Sequence, residues 1–334
     1  MEADMTRRQQ LAWCFGALGV PVMLLCASAS WQWVLAAGAI AAGYYIIVWR
    51  LWARAGQRPL TDLTGQAFGA AGRGASLLAA LWTLTALADT ARRSAAAFPE
   101  RDEGALCGVV LLILCAASGA RGVRAAARCA AVLAPVLAIL HLALLLTALG
   151  QVRPSWCAPW GEPSQLLTLL PALLLPSMTL GLPRKPDGGA APYGMLAVLA
   201  LAPAVFAVVT SGCLSPELAQ ADQLPFYTLS KSLSILSVME RLEPLVSAVL
   251  FLSFFVLAAL LTQSCAALFC AGVGRSDAPR WLTPGICALA LVLGWVACPL
   301  PGWLSGGGAA AFWGILPAVT LLVVAVKKDR KNRK

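Results

Sequence analysis

Runs of apolar residues recur along the 334-residue chain with only short polar breaks between them. A helix needs about 20 apolar residues to cross a bilayer core roughly 30 Å thick. Ten runs meet or nearly meet that length: residues 11–29, 31–49, 74–91, 104–119, 129–149, 166–183, 192–212, 240–270, 282–298 and 309–326, numbered here as spans one to ten. Arg7 and Arg8 give the first run the look of a signal peptide, but Cys26 to Ser30 leads straight into another apolar run, so it is read as a retained span.

The loops repeat as well. A long connection, residues 50–73, follows span two, and another, residues 213–239, follows span seven. If span six starts a second half, those loops fall on opposite sides of the membrane. The pattern predicts one all-helical transmembrane domain over residues 1–334 in a 5+5 inverted repeat, residues 1–149 against residues 150–334, the second half ending in a basic tail. Inverted repeats place a small-molecule site at the midplane, where the first helix of each half is interrupted. Span one carries Gly16, Gly19 and Pro21 near its centre, and span six carries Pro171, Pro176 and Gly181. Proline removes a backbone donor and displaces the carbonyl four residues back. Inside a bilayer the freed groups need protein, water or ligand. Matched breaks in spans one and six are therefore expected to hold a ligand; the alternative is that these residues kink the helices for packing.

Composition agrees with the spans. Of all residues 60% are hydrophobic and 12% charged, with mean hydropathy +0.78, which excludes an ordinary soluble domain. The formal charge of +10 reads as a topology signal and not as a nucleic-acid footprint. With both termini cytoplasmic, only Arg92, Arg93, Arg101, Arg153, Lys231 and Arg241 of the 25 Lys and Arg fall outside, and every cytoplasmic segment is basic. Most of the 11 cysteines lie within apolar runs as small filler; Cys157, Cys213 and Cys298 near the outer face leave room for one disulfide. No HExxH, GxGxxG, GxSxG or phosphate loop is present, so neither catalysis nor a cofactor is expected.

Three stretches carry a resemblance. One is Leu214-Ser215-Pro216-Glu217-Leu218, then Pro225-Phe226-Tyr227-Thr228-Leu229, then Met239-Glu240-Arg241-Leu242-Glu243-Pro244-Leu245. A second runs from Phe98-Pro99-Glu100 through Ala120-Arg121-Gly122-Val123 to Ala127-Arg128, and the third is Thr6 to Gln10. In order and spacing they resemble the GerAB-type spore germination proteins of endospore-forming bacteria, within the amino acid/polyamine/organocation transporter superfamily. Ser215 stands where that pattern has glycine, and Glu243 where it has aspartate.

The resemblance implies a LeuT-like fold and a germinant-sensing receptor subunit in the spore inner membrane. Its ligand would be a nutrient, an amino acid first, and its partners a receptor A subunit and a lipoprotein C subunit beside the lipid bilayer. The ligand residues implied are Gly16, Gly19, Val20 and Pro21 of span one, Trp82 and Thr85 of span three, Pro176, Ser177, Met178 and Thr179 of span six, and Ser253 and Phe254 of span eight. A leucine at Gly19 would then block the response and leave the amount of protein intact. Two rivals stand beside this reading, a proton- or sodium-coupled permease using the same site and a structural subunit with a vestigial pocket.

Ionisable residues within the spans are few, and burying them is costly. Asp89 lies four residues before Arg93, a helix-pair spacing at the outer interface, with gating as the alternative. His141, the single histidine, lies mid-span and reads either as a bonded core residue or as a proton-coupling group. Arg128, at the start of span five, reads equally as a fixed cation bracing span one, as in related transporters, or as a lipid-facing arginine. Glu240 marks a helix start.

Overall fold

A computed structural model describes residues 4–97, 104–157, 161–185, 193–222, 224–232, 243–275, 278–296 and 306–332. Glu240, Cys298 and the Phe98-Pro99-Glu100 stretch lie outside the described residues. Among the described residues, eight helices are long and apolar enough to cross a membrane: Arg7–Cys26, Trp31–Arg54, Ala70–Arg93, Val123–Leu149, Ser164–Gly181, Leu196–Leu214, Pro244–Val273 and Gly307–Lys328. The shorter apolar helices Leu106–Gly119 and Leu282–Trp295 take the fourth and ninth places. An amphipathic helix, Leu60–Phe68, lies in the loop between spans two and three.

Span eight is apolar on every side, and it sits where such a helix must, in the middle of the bundle. Its Phe254, Val256, Leu257, Ala258, Leu260 and Leu261 are fully buried. Span five lies outside, with Val132, Val136, Ile139, Leu142 and Leu146 exposed along one stripe that suits lipid. Helices approach closely where one side is small. A Cβ on Gly38 of span two would lie 2.8 Å from the Ala200 backbone of span seven.

Both termini lie on one face. Span one starts there on a capping box, Gln9 N–H donating to Thr6 Oγ1 at 3.4 Å and Thr6 N–H to Gln9 Oε1 at 2.8 Å. Lys328 Nζ, at the end of span ten, donates to Arg54 O at the end of span two, 2.8 Å away.

The irregular helices differ from the expected breaks. Span one does not open at Gly16 to Pro21: it is α-helical from Arg7 to Pro21 and continues as a π-helix over Val22–Cys26. Past Pro21 the Val22 N–H reaches Gly19 O and Leu18 O, and Ala27 N–H reaches Val22 O at 3.0 Å. The missing proline donor is absorbed by widening the helix, so no row of free amides faces a guest. Span six changes from α over Ser164–Leu173 to 3-10 over Leu175–Gly181. Span ten, which the sequence reading leaves regular, carries a π-helix over Ala310–Ile315.

Candidate functional site

Changes of helical type free backbone carbonyls, and three side chains collect them. Pro317 lacks the N–H that would meet Trp313 O four residues back, and Ser177 of span six donates its hydroxyl to that carbonyl instead. Tyr44 of span two donates to Gly314 O at 2.7 Å. Its neighbour Tyr45 donates to Leu174 O at 2.8 Å, with Leu173 O at 3.4 Å, where span six changes from α to 3-10. Tyr45→Phe is expected to remove this tie between spans two and six, leaving Leu174 O only its bond from Ser177 N–H at 3.0 Å, and to destabilise the protein by about 1 kcal/mol, the scale of an interhelical hydrogen bond in a membrane. Thermal unfolding in detergent against the wild type measures it.

Beside these helices lies a cavity of about 470 Å³, counting the space where it opens outward. Ala79 and Thr83 of span three form one wall, Ser264 and Ala267 of span eight another. Ser177 and Met178 of span six face Phe312 and Trp313 of span ten, and Thr61 and Thr64 of the amphipathic helix close the end nearest the termini. Most of its hydroxyls are occupied. Thr83 donates to Ala79 O at 2.7 Å, Thr64 to Leu60 O at 2.8 Å and Thr61 to Gly181 O at 3.2 Å. Two polar atoms are not: Ser264 Oγ and Trp313 Nε1 are buried without a hydrogen-bond partner among the described residues. A buried donor left unpaired costs about 1–3 kcal/mol, so two in one cavity point to a missing acceptor. No Asp, Glu, Lys, Arg or His lines the cavity among the described residues. A net-neutral solute therefore fits best.

The expected ligand residues divide. Ser177 and Met178 line this cavity. Gly16 and Gly19 line another, between spans one, five and seven, while Pro176 and Thr179 line a third with Gln10 and Cys14. Val20 and Phe254 are fully buried core. Pro21 sits at the turn into the π-segment, and Ser253 returns its hydroxyl to Val249 O of its own helix at 2.8 Å. Trp82 lies one layer from the cavity, 6.4 Å from the Phe312 ring, and Thr85 donates to Trp82 O at 2.8 Å.

The ionisable residues sort as clearly. Asp89, buried, pairs with Arg93 at 2.6 Å and Arg92 at 2.8 Å. Arg128 is exposed on span five. His141 packs against Phe206 and Phe226. Cys157 and Cys213 are free thiols, and burial pushes the Cys157 thiol up.

Sequence reasoning missed Trp313, and it missed the closure of the terminal face. Met5 pairs with the segment after span six, its N–H donating to Pro183 O at 3.2 Å while Lys185 N–H donates to Met5 O at 3.1 Å. Between them Arg184 is buried, 4% exposed, with Nη1 2.6 Å from Gln10 Oε1 and its guanidinium 5.3 Å from the Trp49 ring and 5.1 Å from the Trp52 ring. Gln10 Nε2 donates onward to Thr179 Oγ1 at 3.3 Å. On the opposite face Ser30 N–H donates to Gln165 Oε1 at 3.0 Å, and Trp31 and Trp33 donate to Cys157 O and Gly161 O, each at 2.8 Å. Side-chain bonds thus tie the spans together at both faces.

Compared with profiles of known protein families and with curated proteins, the sequence matches none. Among solved structures the chain is similar to Mhp1, a nucleobase-cation-symport-1 family transporter, in a closed conformation with bromovinylhydantoin bound. The TM-score is 0.65 at 14% sequence identity, covering 96% of this chain and 78% of that one. The chain is an all-helical multi-pass membrane protein with the LeuT-like fold of that transporter.

Proposed function

We propose that this chain senses a small net-neutral nutrient, an amino acid first, in the cavity between spans three, six, eight and ten. The supporting observation is the pair of unpaired buried donors, Ser264 Oγ and Trp313 Nε1, in a chamber without charged side chains. Two unpaired donors on residues that line one cavity suit a carboxylate. An amine facing Thr61, Thr64 or Thr83 finds hydroxyl oxygens with acceptor capacity to spare. The sequence resemblance supplies the setting: a germinant-sensing subunit in the spore inner membrane with cytoplasmic termini, beside an A subunit and a lipoprotein C subunit. A solute that joins span ten to span eight biases the equilibrium between the closed arrangement and an open one, and that shift is the signal.

Ser264→Ala tests the site. Ser264 has no partner in the unliganded protein, so the variant is expected to keep its unliganded melting temperature. It should bind the stabilising amino acid about tenfold more weakly, the loss of one hydrogen bond to a charged group. Thermal-shift titrations of the common amino acids in nanodiscs measure both. Stabilisation by none of them would favour a structural subunit with a vestigial pocket. The similarity to a transporter favours a second reading, a coupled permease using the same chamber, and accumulation of that amino acid against a gradient in proteoliposomes would establish it.

A further inference from the structure

His141 lines a second cavity of about 580 Å³, counting the space where it opens outward, on the other side of span one. Gly16, Gly19 and Val22 of span one, Leu137 of span five and Phe206 of span seven complete most of its wall. Val198 of span seven borders it and is 42% exposed on the outside of that apolar helix. The chamber is apolar apart from the imidazole.

The ring has one satisfied edge. His141 is 8% exposed, and its Nδ1 lies 2.6 Å from Leu137 O of its own helix. A carbonyl oxygen only accepts, so Nδ1 carries the proton and Nε2 keeps a lone pair. Nε2 has no hydrogen-bond partner among the described residues. The Phe206 and Phe226 rings, 5.3 and 6.3 Å away, hold the imidazole in place and offer it no proton. An ordered water needs two to four polar partners, and this wall supplies one. An ammonium would find no carboxylate among the lining residues.

We propose that this cavity is a second binding site, separate from the nutrient chamber, for an apolar molecule with a single hydroxyl that enters from the lipid and donates to His141 Nε2. Its apolar body would fill the chamber and its one donor would pair the one acceptor.

The single histidine makes the test direct. Protein labelled with [15N]histidine, freed of any histidine tag and placed in nanodiscs, gives one pair of ring-nitrogen signals. Titration with 1-octanol is expected to move the Nε2 signal upfield, saturably; heptyl methyl ether, equal in size but without a donor, should leave it in place. Thermal-shift titrations should show the alcohol bound about tenfold more tightly than the ether, and His141→Phe, which keeps an aromatic ring, should erase that preference. An Nε2 signal unmoved by 1-octanol, or moved equally by the ether, overturns the proposal. So does a folded His141→Phe variant that still prefers the alcohol. Should that variant not fold, the wild-type spectra decide alone.

Discussion

Arg184→Ala is expected to open the face that carries the termini about a hundredfold more often than in the wild type. The guanidinium donates to Gln10 Oε1 at 2.6 Å and lies over two indoles. A hydrogen bond from a charged donor contributes about 1.5–3 kcal/mol, and each cation–π contact about 0.5–2 kcal/mol. Rehydration of the freed arginine offsets part of that sum. A net loss of about 3 kcal/mol corresponds to two factors of ten. Cys14 reports the change, because its thiol lies behind the clasp, buried at 4% exposure and 3.3 Å from Thr179 Oγ1. Maleimide labelling mapped by mass spectrometry should show Cys14 modified far faster in the variant. Arg184→Lys should fall between, since an ammonium keeps the charge and loses the planar stacking. Unchanged labelling of Cys14 in Arg184→Ala would show that the clasp does not hold this face shut.

The second large effect concerns Gly19→Leu, for which sequence and structure make opposite forecasts. A Cβ on Gly19 would lie 2.8 Å from Ser253 Oγ and 3.1 Å from Ser253 Cβ, and one on Gly16 would lie 2.7 Å from Val256 Cγ1. These glycines let span one press against span eight. Overfilling such a contact costs typically 1–3 kcal/mol and occasionally more, and Trp13, which donates to Val256 O at 3.1 Å, would be levered away with it. Gly19→Leu is therefore expected to lower both the melting temperature and the amount of folded protein. Gly43→Leu, at a position with no atom within 4 Å of an added Cβ, should do neither. A Gly19→Leu protein made at wild-type level, equally stable and deaf only to its nutrient, would return the binding site to span one.

That contrast shows what a sequence carries and what it lacks. The spans were legible because a bilayer demands a long apolar run for each crossing. Asp89 and Arg93 were legible because helix geometry alone brings residues four apart together. Gly16 and Gly19 were visible as small residues, yet a gap for a ligand and a seat for a neighbouring helix need the same residue type. Only span eight's position decides between them. Span ten's distortion had a signal in Pro317, four residues past Trp313, but its partner Ser177 lies 136 positions away. Trp313 reads in sequence as one more apolar residue, and only the packed bundle shows its indole N–H without an acceptor among the described residues. Arg184 looked like one more positive-inside charge. The two tryptophans one helical turn apart on span two that enclose it carry no mark in the sequence to set them apart from other apolar residues.

Tyr44 and Tyr45 are consecutive residues, yet one grips span ten and the other span six. With Ser177 riveting those two spans to each other, the second, sixth and tenth helices make a single mechanical block. Prising that trio apart would break three anchors at once. Swinging it whole against the third and eighth helices breaks none of them. The cavity between spans three, six, eight and ten lies along that seam, so a guest in it would act as a wedge or a glue between the two groups of helices, and motion should be sought in their relative tilt and not in the unwinding of any one helix.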